Sequence, residues 1–439
     1  MAEETGGGGL KRRYILAATA GNALEFYDFI TYSFFAIQIG HTFFPSTSAF
    51  QSLMLSLATF GVGFVTRPIG GIVIGIYSDR VGRRPAMMLS FTMMGLAIIG
   101  LALIPSYARI GVAAPILAIL ARMVQGFSLG GEVGPTTAYL MEAAPVHRRG
   151  LMVSWQGASQ QIAATAGGAV GVVLASTLDS AALDSYGWRI AFLLGAVTVP
   201  FGLWIRRSLP ETLHAAETHA ATSSATTRLG MARDSSRIIG LGLIVLAYGT
   251  ISTYITDYMT TYAQDTLHMH ARAAFAVSVV SNLAGLVAVL YGGWLSDRIG
   301  RRPVMIWPNM AALIVTYPIF LWIVHDKTPF ALLAGMGILG FIANIPFGPF
   351  YAALAEGLPK QIRGSAFATV YAISIATFGG TCQLVVRGLI ELTGNPLAPA
   401  WYLLLATIIG QIAIWMIPET APVRLGAAAK IDARAAGVA

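Results

Sequence analysis

Glu25 and Asp28 stand three residues apart inside an apolar run. At that spacing two side chains share one face of a helix. An ionised carboxyl facing lipid is prohibitive, so this face must turn toward protein or water. Desolvation and mutual repulsion both favour the neutral form, which gives the pair the chemistry of a proton carrier. A structural salt bridge to an arginine is the competing role. Glu132 is a third such acid, flanked by Gly130, Gly131 and Gly134. Proton coupling and structural pairing at a tight helix contact are both open to it.

Three arginines lie within or at the ends of apolar runs. Arg67 falls about ten residues before the end of its run, or ~15 Å at the helical rise, near the bilayer midplane. Arg122 lies in the outer half of the fourth run, and Arg189 opens the sixth. Arginine keeps its charge and presents a fork that matches a carboxylate. These residues suit a pocket for an anionic substrate, or internal ion pairs with Glu25, Asp28 or Glu132. For Arg189, a helix-end residue, snorkelling to the membrane surface is a further alternative. Gln156, Ser159, Gln160 and Gln161 crowd polar groups into the fifth run, with 156 and 160 on one face and 157 and 161 on its neighbour. Amides donate to carboxylates and accept from hydroxyls, which suits a hydroxylated polyacid; interhelical hydrogen bonding is the plainer role. Asn344, Tyr371 and Ser374 are candidates for the opposite wall of such a pocket, with Asn282 a weaker one.

The elements that must position these residues are set by composition. The chain is 56% hydrophobic and 11% charged, with a mean hydropathy of +0.68. Soluble domains average roughly 25% charged residues. Each membrane-spanning helix needs about 20 mostly apolar residues, and about twelve such runs occur. They lie near 14–39, 51–77, 86–105, 114–139, 150–177, 188–206, 237–261, 272–296, 303–325, 329–354, 364–391 and 398–417. Short alternating segments of the kind that build membrane barrels are absent. The expected fold is therefore all-α and multi-pass.

The net charge of +8 lies in the connections, not along one polar face, so nucleic acid is not an expected partner. Alternate connections are rich in Lys and Arg, while the other set carries only Arg109, Arg189, Arg272 and Lys327. The positive-inside rule then predicts both termini in the cytoplasm. The first apolar run is longer than a secretory signal core, so no cleaved signal is expected. Residues 1–207 and 237–439 form two expected six-helix bundles, joined by a cytoplasmic linker over 208–236. The single cysteine, Cys382, excludes an intrachain disulfide. No phosphate-binding loop, nucleophile–base constellation or metal-ligand spacing occurs, so neither an enzyme, a cofactor nor a metal site is expected.

The halves repeat one another. Gly75-Ile-Tyr-Ser-Asp79-Arg80-Val-Gly82-Arg83-Arg84 returns as Gly293-Trp-Leu-Ser-Asp297-Arg298-Ile-Gly300-Arg301-Arg302, with seven of ten positions identical. Glu142-Ala-Ala-Pro-Val-His-Arg-Arg149-Gly returns as Glu356-Gly-Leu-Pro-Lys-Gln-Ile-Arg363-Gly, and Pro210-Glu-Thr as Pro418-Glu-Thr. Collinear repeats at this distance indicate two copies of one architecture.

These segments resemble the major facilitator superfamily over essentially the whole chain. Gly21-Asn22-Ala-Leu-Glu25-Phe-Tyr-Asp28-Phe29, Arg67-Pro68-Ile-Gly70-Gly71, Arg122-Met-Val-Gln125-Gly126, Gly130-Gly131-Glu132 and Gly187-Trp188-Arg189-Ile190 are similar to its metabolite:proton symporter family. Ser154-Trp-Gln156-Gly-Ala-Ser159-Gln160-Gln161 and Ile375-Ala-Thr-Phe-Gly-Gly380 resemble its citrate and tricarballylate carriers. Asp257 departs from that pattern, an acid where a neutral residue is expected, and it leaves the substrate choice open. The resemblance implies that the repeated loops are latches between the bundles; topology alone is the plainer reading of their arginines. It also implies a monomer in the bacterial inner membrane that imports a tricarboxylate with protons. A dicarboxylate, a shikimate-like acid or a zwitterionic osmolyte would need the same mechanism, and a non-transporting nutrient sensor would need only the fold.

Overall fold

The computed structural model describes residues 19, 22–23, 26–81, 83–130, 137, 140–141, 144–207, 230, 233–359 and 362–426. Among these residues the chain forms twelve long helical rods and no strand. In the N-terminal half they are α1 (helical residues 26–34, then Ala36–Phe43), α2 (Ala49–Val65, then Arg67–Val81), α3 (Arg83–Leu103), α4 (Ala113–Leu129), α5 (Arg149–Thr177) and α6 (Trp188–Arg207). In the C-terminal half they are α7 (Ser236–Asp265), α8 (Ala271–Ile299), α9 (Arg301–Asp326), α10 (Pro329–Asn344, then Phe347–Gly357), α11 (Arg363–Ser374, then Gly380–Thr393) and α12 (Ala398–Met416). Eight rods (α2, α5 and α7–α12) are long and apolar enough to cross a membrane, and α3 and α4 hold shorter apolar stretches.

Apart from the start of α1 and the end of α4, which lie outside the described residues, the rods follow the apolar runs to within a few residues, and their ends and breaks have local causes. Ser48 caps α2 by accepting from the Gln51 N–H at 3.4 Å. Thr328 caps α10 in the same way, with Pro329 at the first helical position. Pro68 follows the break in α2 and Pro346 sits at the break in α10, each lacking the N–H that would continue the ladder. Thr66 uses the break in α2 to donate to the Met123 carbonyl of α4 at 2.8 Å. In α11 the two helical stretches are joined by a π-helical turn, Ile375–Gly379.

Large apolar side chains such as Leu103, Trp307, Ile314 and Phe330 are exposed along the rods. Lipid is the solvent that this surface fits. Two of the helix pairs that join the halves bring their backbones close. The first is α5 with α8, antiparallel along their length, where small residues allow backbone approach. A Cβ added to Gly150 would lie 2.6 Å from the Gly293 carbonyl oxygen, and one added to Gly168 would collide with Ser278 Oγ. The second pair is α2 with α11, where a Cβ on Gly61 would lie 2.5 Å from the Gly380 carbonyl oxygen.

Candidate functional site

A cavity of about 50 Å³ lies between the halves, room for a few water molecules. Its walls come from α1, α5, α7, α8, α10 and α11. Gln160 and Gln161 supply the α5 wall. Gln161 Nε2 donates to Asn344 Oδ1 of α10 at 2.7 Å, and Gln160 Nε2 donates to the Tyr371 hydroxyl of α11 at 3.3 Å. Four of the residues singled out in the sequence therefore meet across the cavity. Asn282 of α8 also lines it and donates to the Ser278 carbonyl of its own helix.

Gln156 goes elsewhere. It is buried, and its Nε2 donates to Asn22 Oδ1 at 3.2 Å, while Asn22 Nδ2 donates to Ser159 Oγ at 2.7 Å. Gln156 and Ser159 thus join α5 to Asn22, just ahead of α1, and they are not among the lining residues. Ser374 is buried and donates to the Leu243 carbonyl of α7 at 3.2 Å, away from the cavity surface.

The arginines sit one layer behind the wall, against aromatic faces. The Arg67 guanidinium lies 4.2 Å from the Phe29 ring centre and 4.7 Å from that of Phe64. Arg122 lies 4.4, 4.5 and 5.1 Å from the rings of Phe29, Tyr32 and Phe60. It donates to Gln125 Oε1 at 2.7 Å. A cation over a desolvated ring gains about 2 kcal/mol. Phe64 in turn packs edge-on against Tyr254, which does line the cavity. Arg189 lies at the far end of α6, over the Trp188 ring at 4.3 Å, and donates to the Ile104 carbonyl that ends α3. Of the three acids expected to couple protons, Glu25 and Glu132 lie outside the described residues. Asp28 is buried with its Oδ1 against Gly195 of α6, not against the cavity.

One end of the α5–α8 pair carries a charged network. Asp297 accepts from the backbone N–H groups of Gly150 (2.8 Å) and Leu151 (2.9 Å), and so caps α5 from the other half. Arg301 Nη1 lies 2.7 Å from Asp297 Oδ1, and its Nη2 lies 3.0 Å from Glu356 Oε1. Glu419 accepts from the N–H groups of Arg301 and Arg302 at 2.9 and 3.1 Å. Arg302 also donates to the Trp415 carbonyl, and Arg298 stacks on Trp294 at 4.0 Å. Gly300 takes φ +105°, and Glu419 Oε2 and the Arg424 side chain crowd the place of a Cβ there. In the first copy of this loop, Gly82 and the side chains at Gly75, Asp79, Arg80, Arg83 and Arg84 lie outside the described residues.

The opposite end has few charges. Gln383 of α11 donates to Ser33 Oγ of α1, Thr261 of α7 to the Ser33 carbonyl at 3.4 Å, and Gln38 to Gln264 Oε1 at 3.4 Å. Phe35 packs on Phe275 at 4.7 Å. Beyond them Arg387 pairs with Asp265 at 2.8 Å within the C-terminal half.

On α7 only Asp257 stood out in sequence, while Thr250, Thr253 and Tyr254 beside it did not. Thr250, Thr253, Tyr254 and Asp257 all line the cavity, at spacings of three, four and seven that put them on one helical face. That periodic polar stripe in an apolar run was the available signal.

Duplicated rods, a cavity at the seam of the halves and the contact of Asp297 with α5 across that seam describe a duplicated helical membrane fold. The Major Facilitator Superfamily pattern matches residues 18–382. The chain belongs to the Major Facilitator Superfamily. Among its relatives, a citrate-proton symporter of Salmonella typhi is 37% identical over 404 residues, covering 92% of this chain and 93% of that protein. A proline/betaine transporter of Escherichia coli (strain K12) is 31% identical over 427 residues, covering 94% and 84%. The solved structure of a D-xylose-proton symporter superposes with a TM-score of 0.73 at 20% identity, covering 93% and 98%, and shows that the fold is shared. The protein is thus a multi-pass inner-membrane protein of the superfamily's transporter fold.

Proposed function

We propose that this protein is a proton symporter that takes up a tricarboxylate of the citrate kind by alternating access. The likeness to a citrate-proton symporter along 92% of the chain carries the reading. The cavity's chemistry supports it. Gln160, Gln161, Asn282, Asn344 and Tyr371 offer amide and phenol donors to carboxylates and acceptors to a hydroxyl. Arg67 supplies positive charge one layer behind Tyr254, close enough to act on both Tyr254 and Tyr371. Residues 1–207 and 237–439 are the two bundles that rock about the α5–α8 and α2–α11 seams, joined by the linker over 208–236. The arginine-rich connections hold the Asp297 end in the cytoplasm.

A second reading keeps the mechanism and changes the cargo to a zwitterion. Asp257 favours it, because a carboxylate in the wall can face a quaternary ammonium.

Uptake of radiolabelled citrate by proteoliposomes, with and without an imposed proton gradient, tests the proposal. The expected result is accumulation that needs the gradient. Uptake of glycine betaine but not citrate would remove the cargo, and equal accumulation without the gradient would remove the symport.

A further inference from the structure

Asp257 combines three observations. It is 1% exposed. It belongs to the cavity wall, where it is the one carboxyl among the described lining residues, none of which is Arg, Lys or His. Among the described residues its Oδ1 has no hydrogen-bond partner and no ion pair reaches it. A structural carboxylate inside a membrane protein is normally paired. An unpaired one beside a substrate cavity is kept for a partner that comes and goes.

The neighbours of Asp257 narrow what that partner is. On its own helix stands Tyr254, and from α11 Cys382, both within electrostatic range of its charge. Tyr351 of α10 and Tyr371 of α11 line the cavity beside Tyr254, and Tyr402 of α12 lies within range of Cys382. The facing α8 wall gives Asn282, and α1 gives Phe26 and Ile30. Arg67 of α2 reaches Tyr254. Thiols and phenols ordinarily titrate above neutral pH, so among these groups the Asp257 carboxyl is the one suited to exchange a proton.

We propose that Asp257 carries the coupled proton at the substrate site, so that binding the proton and binding the anion are one event. The inference rests on the carboxylate-symport reading and names its coupling group. With the carboxyl protonated, Asp257 donates a hydrogen bond to a substrate carboxylate. With the proton lost, two like charges share a desolvated space and the anion is expelled. The proton enters on one face and leaves on the other with the substrate. Its place on α7, facing α5 across the seam, exposes it to whichever side is open. Asp28, buried against α6, has no such access in this conformation.

The experiment uses the full-length protein in proteoliposomes and compares the parent with Asp257→Asn and Asp257→Glu. Asparagine keeps the shape and a donor but cannot release a proton. Citrate binding to the parent should weaken with rising pH more steeply than binding to Asp257→Asn, by up to tenfold per pH unit. Citrate's own titration is common to both and cancels. Asp257→Asn should retain citrate counterflow and lose gradient-driven accumulation, whereas Asp257→Glu should keep both. Equal pH dependence in parent and Asp257→Asn, with accumulation intact, overturns this inference and leaves the citrate reading standing. Parent uptake of glycine betaine in place of citrate, lost in Asp257→Asn, overturns both, because the carboxyl is then a counter-charge for the ammonium.

Discussion

The two halves meet by different physics at the two ends of the cavity. At the arginine-rich end a carboxylate of one half caps a helix of the other, through two charge-assisted bonds from Asp297 to Gly150 and Leu151. At the opposite end the halves meet through neutral amides, hydroxyls, aromatic rings and the bare backbones of Gly61 and Gly380. Hydrogen bonds to charged groups contribute about 1.5–3 kcal/mol, and neutral ones about 0.5–1.5 kcal/mol. The first seal is therefore directional and strong per contact. The second is broad and sensitive to shape.

Three substitutions separate the seals. Each is read as side-specific accessibility of an introduced cysteine on a Cys382→Ser background, alongside citrate uptake. The largest effect is expected for Asp297→Asn, which removes the charge and one acceptor from the α5 cap. At roughly 1.4 kcal/mol per tenfold, the balance of closed and open at this end should shift by more than tenfold. Labelling from the arginine-rich side should rise and uptake should fall. An unchanged labelling pattern would show that Asp297 is not a seal.

Gly61→Ala comes next. Its Cβ would meet the Gly380 carbonyl oxygen at 2.5 Å, and overpacking of this kind costs about 1–3 kcal/mol. Accessibility from the opposite side should rise about tenfold, with binding from that side preserved. If Gly61→Ala transports as the parent does, the α2–α11 backbones are not in contact in the closed state. The smallest effect is expected for Gln383→Leu, which deletes one neutral bond to Ser33. About a threefold change is the expected size. A change as large as that of Asp297→Asn would mean that the neutral seal hangs on one contact and is not distributed.

The fold was legible because apolar length is a local property of sequence, and so was the duplication, because the loops repeat nearly verbatim. The site was legible only in part. Gln156 and Gln160 share a face of α5, but they lie about 6 Å apart along the axis. One meets Asn22 and the other Tyr371. Periodicity says which face a residue is on, not which neighbour stands at that level. Arg67 and Arg122 were expected near carboxylates, whether of the substrate or of the protein. The rings of Phe29, Tyr32, Phe60 and Phe64 lie against their guanidinium groups, and in sequence these look like ordinary packing. Asp257 stood out in sequence as a departure, but its place in the cavity wall needed the packing of α7 against its neighbours.

Arg301 joins Asp297 to Glu356, Glu356 accepts from the Thr420 hydroxyl, and Glu419 accepts from the backbone that starts α9. All of these groups belong to the C-terminal half. The carboxylate that docks onto α5 is thus oriented by its own bundle, whether or not α5 is there to meet it. Undocking exposes two N–H groups to water and leaves the rest of the network standing. The entropy of ordering that carboxylate is met once, when the bundle folds, and not again at each cycle. Under the alternating-access proposal, such a contact re-forms the same two bonds at every turnover without searching for them.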